Sequence, residues 1–71
     1  MAKLPGISHQ RAIAAFQKAG FRIIRQGKHI SMAKGDRIVI IIPRGNPINS
    51  FTMARIIKDA GMTIEEFKKL L

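Results

Sequence analysis

Apolar residues fall along this chain in three successive rhythms, and each rhythm predicts an element. Ala12, Ile13, Phe16 and Ala19 recur every three or four residues and make one apolar stripe on a helix. Ser8 is a good N-cap for that helix, and Gln10 to Ala19 run without Gly or Pro. Gly20 stands where a helix ends most cheaply in a left-handed residue, and Phe21 falls where a Schellman cap places its hydrophobic contact. Before it, Met1 to Ile7 is a short lead-in carrying the turn signal Leu4-Pro5-Gly6.

From Phe21 the rhythm changes to alternation. Phe21 to Gln26 reads as a first strand, and Gly27-Lys28 as a hairpin loop whose leading Gly suits a type II′ turn. That loop pairs Gln26 with His29 and Ile24 with Ser31. A second turn, Lys34-Gly35-Asp36, pairs Ala33 with Arg37, and the third strand, Arg37 to Ile42, stops at Pro43. This register gathers Phe21, Ile23, Ile30, Met32, Ile38, Ile40 and Ile42 on one face. The other face receives Arg22, Ile24, Gln26, His29, Ser31, Ala33, Arg37, Val39 and Ile41. A slip of one residue would mix the two sets, so their separation supports the meander.

Helical spacing then returns. After a loop from Pro43 to Asn49, Asn49 or Ser50 caps a helix from about Phe51 to Ala60, with Met53, Ile56, Ile57 and Ala60 as its stripe and Gly61 as its end. Thr63 opens a last helix with a capping box to Glu66, and Met62 and Phe67 are spaced for a hydrophobic staple across its start. Ile64, Phe67, Leu70 and Leu71 face inward. The expected fold is α+β in the order α-β-β-β-α-α: one small domain over residues 1–71, with a three-stranded antiparallel sheet covered by helices on one face and open on the other.

Composition changes this picture in two ways. Net charge is +9, and its distribution is uneven: residues 1–58 hold eleven Lys and Arg against one acid, Asp36, while the remaining residues hold two basic residues and three acids. Such a surface favours a polyanion through counterion release and steering, so nucleic acid is the expected partner. There is no cysteine, which removes disulfides, thiolate metal sites and thiol nucleophiles. The two histidines, His9 and His29, have no nearby carboxylate pair, and neither metal nor cofactor is expected. The longest apolar run, Ile38 to Ile42, is too short to span a bilayer, and the N-terminus does not resemble a signal, so a cytoplasmic protein without membrane contact is expected.

Several motifs dissolve on inspection. A helix-turn-helix over the last two helices would present Glu65 and Glu66 to phosphates. A base-stacking sheet needs exposed aromatics, and the chain has no Trp or Tyr, while its four Phe all have core assignments. Gly27-Lys28 and Gly45-Asn46 lack the spacing of nucleotide-binding loops. Ile24, Ala33, Val39 and Ile41 on the open face are either ordinary surface residues or a patch covered by a partner protein.

His29 remains. Alternation puts it beside Ser31 on the polar face, at the end of a hairpin. Histidine is the side chain that exchanges protons near neutral pH, although a lone strand histidine is more often an ordinary surface residue.

Taken together, Leu4-Pro5-Gly6-Ile7-Ser8, Lys18-Ala19-Gly20-Phe21, Arg25-Gln26-Gly27-Lys28-His29, Ile42-Pro43, Gly45-Asn46, Thr52, Ile57-Lys58-Asp59-Ala60-Gly61 and Glu65-Glu66-Phe67 give the chain a family likeness. It resembles the HicA toxins, small RNA-cleaving members of toxin–antitoxin pairs, over nearly its whole length. The resemblance implies a double-stranded-RNA-binding-domain-like fold and mRNA cleavage without metal. It also implies an active-site histidine on the second strand, matched here by His29, and neutralisation by a HicB antitoxin. Family members often carry Ser or Gly just before that histidine, where this chain has Lys28.

The residues can support such chemistry. RNA carries its own nucleophile, the 2′-hydroxyl, and His29 is a candidate general base or acid for its attack on the neighbouring phosphate. Lys28 with Arg22, Arg25 or Arg37 would offset the developing charge and bind the RNA. No second proton-transfer group is evident, because His9 sits at a helix start. Two other functions stay open at this point: a non-catalytic RNA-binding module, and a protein-interaction domain using the open sheet face.

Overall fold

A computed structural model describes Leu4 and residues 6–71. The lead-in turn at Leu4-Pro5-Gly6 therefore lies partly outside the described residues. The elements are α1 (His9–Lys18), β1 (Arg22–Gln26), β2 (His29–Lys34), β3 (Ile38–Pro43), α2 (Ser50–Asp59) and α3 (Ile64–Lys68).

The helix ends are made by the residues the sequence nominates. Ser8 Oγ accepts from the Arg11 N–H at 3.2 Å. Past α1, Gly20 takes φ +99° while the Gly20 and Phe21 N–H groups donate to the carbonyls of Gln17 and Phe16, the paired bonds of a Schellman cap. The same motif closes α2, with Gly61 at φ +76° and Met62 N–H bonded to the Ile57 carbonyl. Asn49 is the α2 cap, its Oδ1 accepting from the Phe51 and Thr52 N–H groups. Thr63 and Glu66 form both bonds of the capping box, at 3.0 and 3.1 Å.

The sheet is antiparallel in the order β1-β2-β3, with β2 central. Phe21, Ile30, Met32, Ile40 and Ile42 join Ala12, Phe16, Met53, Ile57 and Phe67 in one core between the sheet and the helices. Fully burying such a side chain is worth about 1.5–3 kcal/mol.

Two registers differ from expectation. β2 and β3 pair as Ala33↔Val39 and Lys34↔Ile38, so the turn is Gly35-Asp36-Arg37, with Gly35 at φ +60°. Ala33 therefore faces Val39 rather than Arg37. The slip is two residues, which leaves every face assignment unchanged. Between β1 and β2 the expected pairing holds for Arg22↔Ala33 and Ile23↔Met32. It then shifts, so that Arg25 rather than Ile24 opposes Ser31, and Gln26 opposes Ile30 rather than His29 and leaves the open-face set. Ile24 is the extra residue of a β-bulge.

The cause is charge. Unbroken alternation from Phe21 and Ile23 would carry Arg25 onto the core face, where an unpaired cation is very costly. The bulge turns Arg25 outward. Ala33 is also corrected: it is only 5 % exposed although it lies on the open face and outside the main core. On the central strand, larger neighbours on both sides shade so small a side chain.

Candidate active site

The β1–β2 turn is built differently from a type II′ hairpin, because Gly27 does not take the positive φ such a turn needs. Instead the Gly27 N–H donates to the His29 carbonyl at 3.1 Å, which closes the loop around Lys28. His29 opens β2 opposite Pro43, the last residue of β3. Its side chain is exposed.

Around this turn lies an open depression of about 220 Å³, lined by Arg25, Gly27, Lys28, His29, Ser31 and Ile41. No acidic side chain lines it. Three of the sequence-nominated residues, Arg25, Lys28 and His29, are thus brought together. Ser31 and Ile41 complete the floor, and they are directly paired across β2 and β3. Arg25 reaches the depression because the bulge sets it opposite Ser31.

Arg22 and Arg37 are not in this group. Arg22 pairs with Ala33, four residues along β2 from His29, or about 13 Å. Arg37 sits in the turn beyond Lys34. Both are exposed at the far end of the sheet, where they can meet only a ligand that runs along it.

One basic residue was missed. Arg44 follows Pro43, and its Nε–H donates to the Gly27 carbonyl at 3.2 Å. The guanidinium is thereby held against the turn that carries Lys28 and His29, with its other N–H groups left for further partners. Nothing in the sequence signals this, because the bond depends on how the β3–α2 loop folds back.

That loop is itself tied down. The His9 backbone N–H donates to the Gly45 carbonyl at 2.9 Å, and the Gly45 N–H donates to His9 Nδ1 at 3.2 Å. The Ile48 N–H donates to the Ile7 carbonyl at 2.7 Å. His9 is thus engaged with the loop backbone, one residue from Arg44.

The uncovered face of the sheet carries an apolar stripe beside the depression. Ile24 is 50 % exposed, and Val39 and Ile41 are each 57 % exposed. Among the described residues no three His, Asp or Glu side chains gather, and no helix is long and apolar enough to cross a membrane.

The arrangement offers one imidazole, two cations beside it and a third at the turn, all open to a large ligand. A family model for the HicA toxin of bacterial toxin–antitoxin matches residues 10–62. That span takes in the sheet, α2 and all but the first residue of α1. No curated protein and no solved structure matches the chain.

Proposed function

The chain belongs to the HicA family of bacterial toxin–antitoxin toxins, and from that premise we propose that it is a ribonuclease that cleaves mRNA without metal, with His29 moving a proton in the bond-breaking step. The observation that carries this reading is the meeting of His29, Lys28 and Arg25 in one open depression on the uncovered sheet face of a chain with net charge +9.

The reaction needs no bound group. The RNA 2′-oxygen attacks the adjacent phosphorus as its proton leaves, the bond from phosphorus to the 5′-oxygen breaks, and that oxygen gains a proton. The products are a 2′,3′-cyclic phosphate and a 5′-hydroxyl. His29 acts on one of the two protons, a role worth roughly 10²–10⁴-fold. Lys28 and Arg25 stabilise the charge that grows on the phosphorane oxygens. Arg44 holds the Gly27 carbonyl and so sets the turn from which Lys28 and His29 project. Arg22 and Arg37 bind RNA phosphates farther along the sheet.

The toxin's antitoxin partner, acidic and HicB-like, covers the open sheet face. Ile24, Val39 and Ile41 supply the apolar contact and the surrounding cations supply the steering. Ile41 also lines the depression, so a partner that buries the stripe also excludes RNA from His29. Both encounters take place in the cytoplasm.

A substrate with a 2′-deoxy sugar at the scissile position tests the chemistry. It binds and stays intact, while the all-ribose RNA is cut to the cyclic phosphate in the presence of EDTA. Cleavage of the 2′-deoxy substrate, or loss of activity with EDTA, refutes the mechanism.

A further inference from the structure

The four phenylalanines divide unevenly. Phe16, Phe21 and Phe67 are buried, with ring centroids 5.4 Å apart for Phe16 and Phe21 and 4.9 Å for Phe16 and Phe67. Phe51 is 85 % exposed, against the expectation that every Phe is core. Helical phase explains the difference. At 100° per residue, Met53, Ile56, Ile57 and Ala60 cluster on one side of α2, and Phe51 lies on the opposite side.

Phe51 is not alone there. Arg55 and Lys58 fall within about 60° of it, one and two turns further on, and both are exposed. The outward stripe of α2 is thus an aromatic ring followed by two cations, bordered at its end by the exposed Asp59, one turn past Arg55. Its position also matters. β3 ends at Pro43 opposite His29, and the six residues Arg44 to Asn49 lead from there to α2. The first residue of that loop is bonded to Gly27. α2 packs on the core face of the sheet, so the stripe points away from the open face, and a strand running from His29 to Phe51 must round this tethered loop.

We propose that Phe51, Arg55 and Lys58 form a second RNA-binding subsite, in which a base of the single strand entering or leaving the His29 centre stacks on Phe51 while its phosphates meet Arg55 and Lys58. This rests on the reading of the chain as an RNA-binding toxin. A base presents an apolar π-face and an anionic backbone together, and the stripe presents their complements in the same order. Stacking of this kind tolerates any base, so the subsite adds affinity and length dependence without choosing the cleavage sequence.

The test measures binding of an uncleavable single-stranded RNA of roughly ten nucleotides, a typical site size, carrying 2′-deoxy sugar at the scissile position. Because Phe51 is exposed, Phe51→Ala leaves the fold intact. It is expected to weaken binding of this RNA roughly 5- to 150-fold, the range of one lost base stack. Cleavage of a trinucleotide confined to the His29 centre stays at the wild-type rate. Phe51→Trp is expected to restore affinity. Since the natural chain has no Trp, the introduced indole reports the stack directly by quenching when RNA binds.

If wild type binds the RNA and Phe51→Ala binds it equally well, the subsite is refuted and the parent reading survives. If wild type binds no single-stranded RNA, both fall together. If Phe51→Ala weakens only the antitoxin complex, the stripe is a protein contact and the proposal is wrong.

Discussion

Replacing His29 with alanine is expected to separate catalysis from binding, because the proposed mechanism makes the two losses unequal. The side chain is exposed, and the bond between the Gly27 N–H and the His29 carbonyl is a backbone bond that alanine keeps. Stability is therefore expected to stay within about 0.5 kcal/mol of wild type, the usual range for a surface substitution. Arg25 and Lys28 remain in the depression and Arg44 remains on Gly27, so affinity for uncleavable RNA changes little. The chemical step loses its proton-transfer group and slows by roughly 10²–10⁴-fold, about 2.7–5.4 kcal/mol at 1.36 kcal/mol per factor of ten.

The assay is single-turnover cleavage of an end-labelled RNA at saturating toxin, with the dissociation constant measured separately. Two outcomes refute the reasoning. One is cleavage at the wild-type rate. The other is an affinity loss as large as the rate loss, which would make His29 a binding residue and leave a non-catalytic RNA-binding module as the better account.

Other expectations follow from single contacts. Arg44→Ala frees the turn and lowers kcat by up to roughly 10²-fold with thermal stability unchanged; equal kcat in a single-turnover assay would show that the bond to Gly27 positions nothing. Thr63→Ala removes the cap of α3 and lowers stability by about 0.5–2 kcal/mol in a urea melt, and a stability equal to wild type would show the cap to be idle. The Glu66 carboxyl is held below its ordinary range by its bonds from the Thr63 backbone N–H and hydroxyl. Its contribution is therefore present above the ordinary carboxyl value of 4.5 and is lost as pH falls through the lower folded value; acid melts of Thr63→Ala should show a weaker dependence in that window. Ile41→Asp puts a carboxylate into the apolar stripe and weakens the antitoxin complex by roughly 30-fold or more in a titration, the scale of an interface hot spot; an unchanged dissociation constant would place the antitoxin elsewhere.

How much of this was legible in the sequence depends on which property each residue obeys. Face assignment on β2 and β3 was legible, because parity survives error: the two-residue slip between them moved Ala33 from Arg37 to Val39 and turned no side chain over. On β1 it failed past Ile24, where the bulge moved Gln26 from the open-face set to a position opposite Ile30. The bulge was visible in principle. Ile23 and Ile24 are adjacent and apolar, and the parity of Phe21 and Ile23 drives Arg25 inward, a conflict that only an extra residue resolves. Phe51 was legible from helical phase, which places it opposite Met53 and Ala60. Aromatic character suggested core, but position on the helix decides burial. Arg44 and His9 were not legible, because their partners are loop backbone groups at Gly27 and Gly45 that only the folded chain brings near.

The open form of the site follows from the size of the chain. A domain of 71 residues spends its apolar residues on one core, and little is left with which to wall off a pocket. The proposed catalytic groups are then best carried on a hairpin end, fixed by backbone bonds and one arginine rather than by enclosure. An exposed centre has a consequence for control. On the proposed reading the toxin is silenced by a partner laid over the surface, and the surface next to His29 is the apolar stripe. Ile41 belongs to both the stripe and the depression. If the antitoxin seats on Ile41 as proposed, strengthening that hold also deepens its exclusion of RNA, so affinity and inhibition would be coupled through one side chain. The proposed Phe51 subsite lies on a helix, outside the sheet face. On this reading an antitoxin that covers only the sheet would leave the toxin able to hold RNA by α2 while unable to cut it.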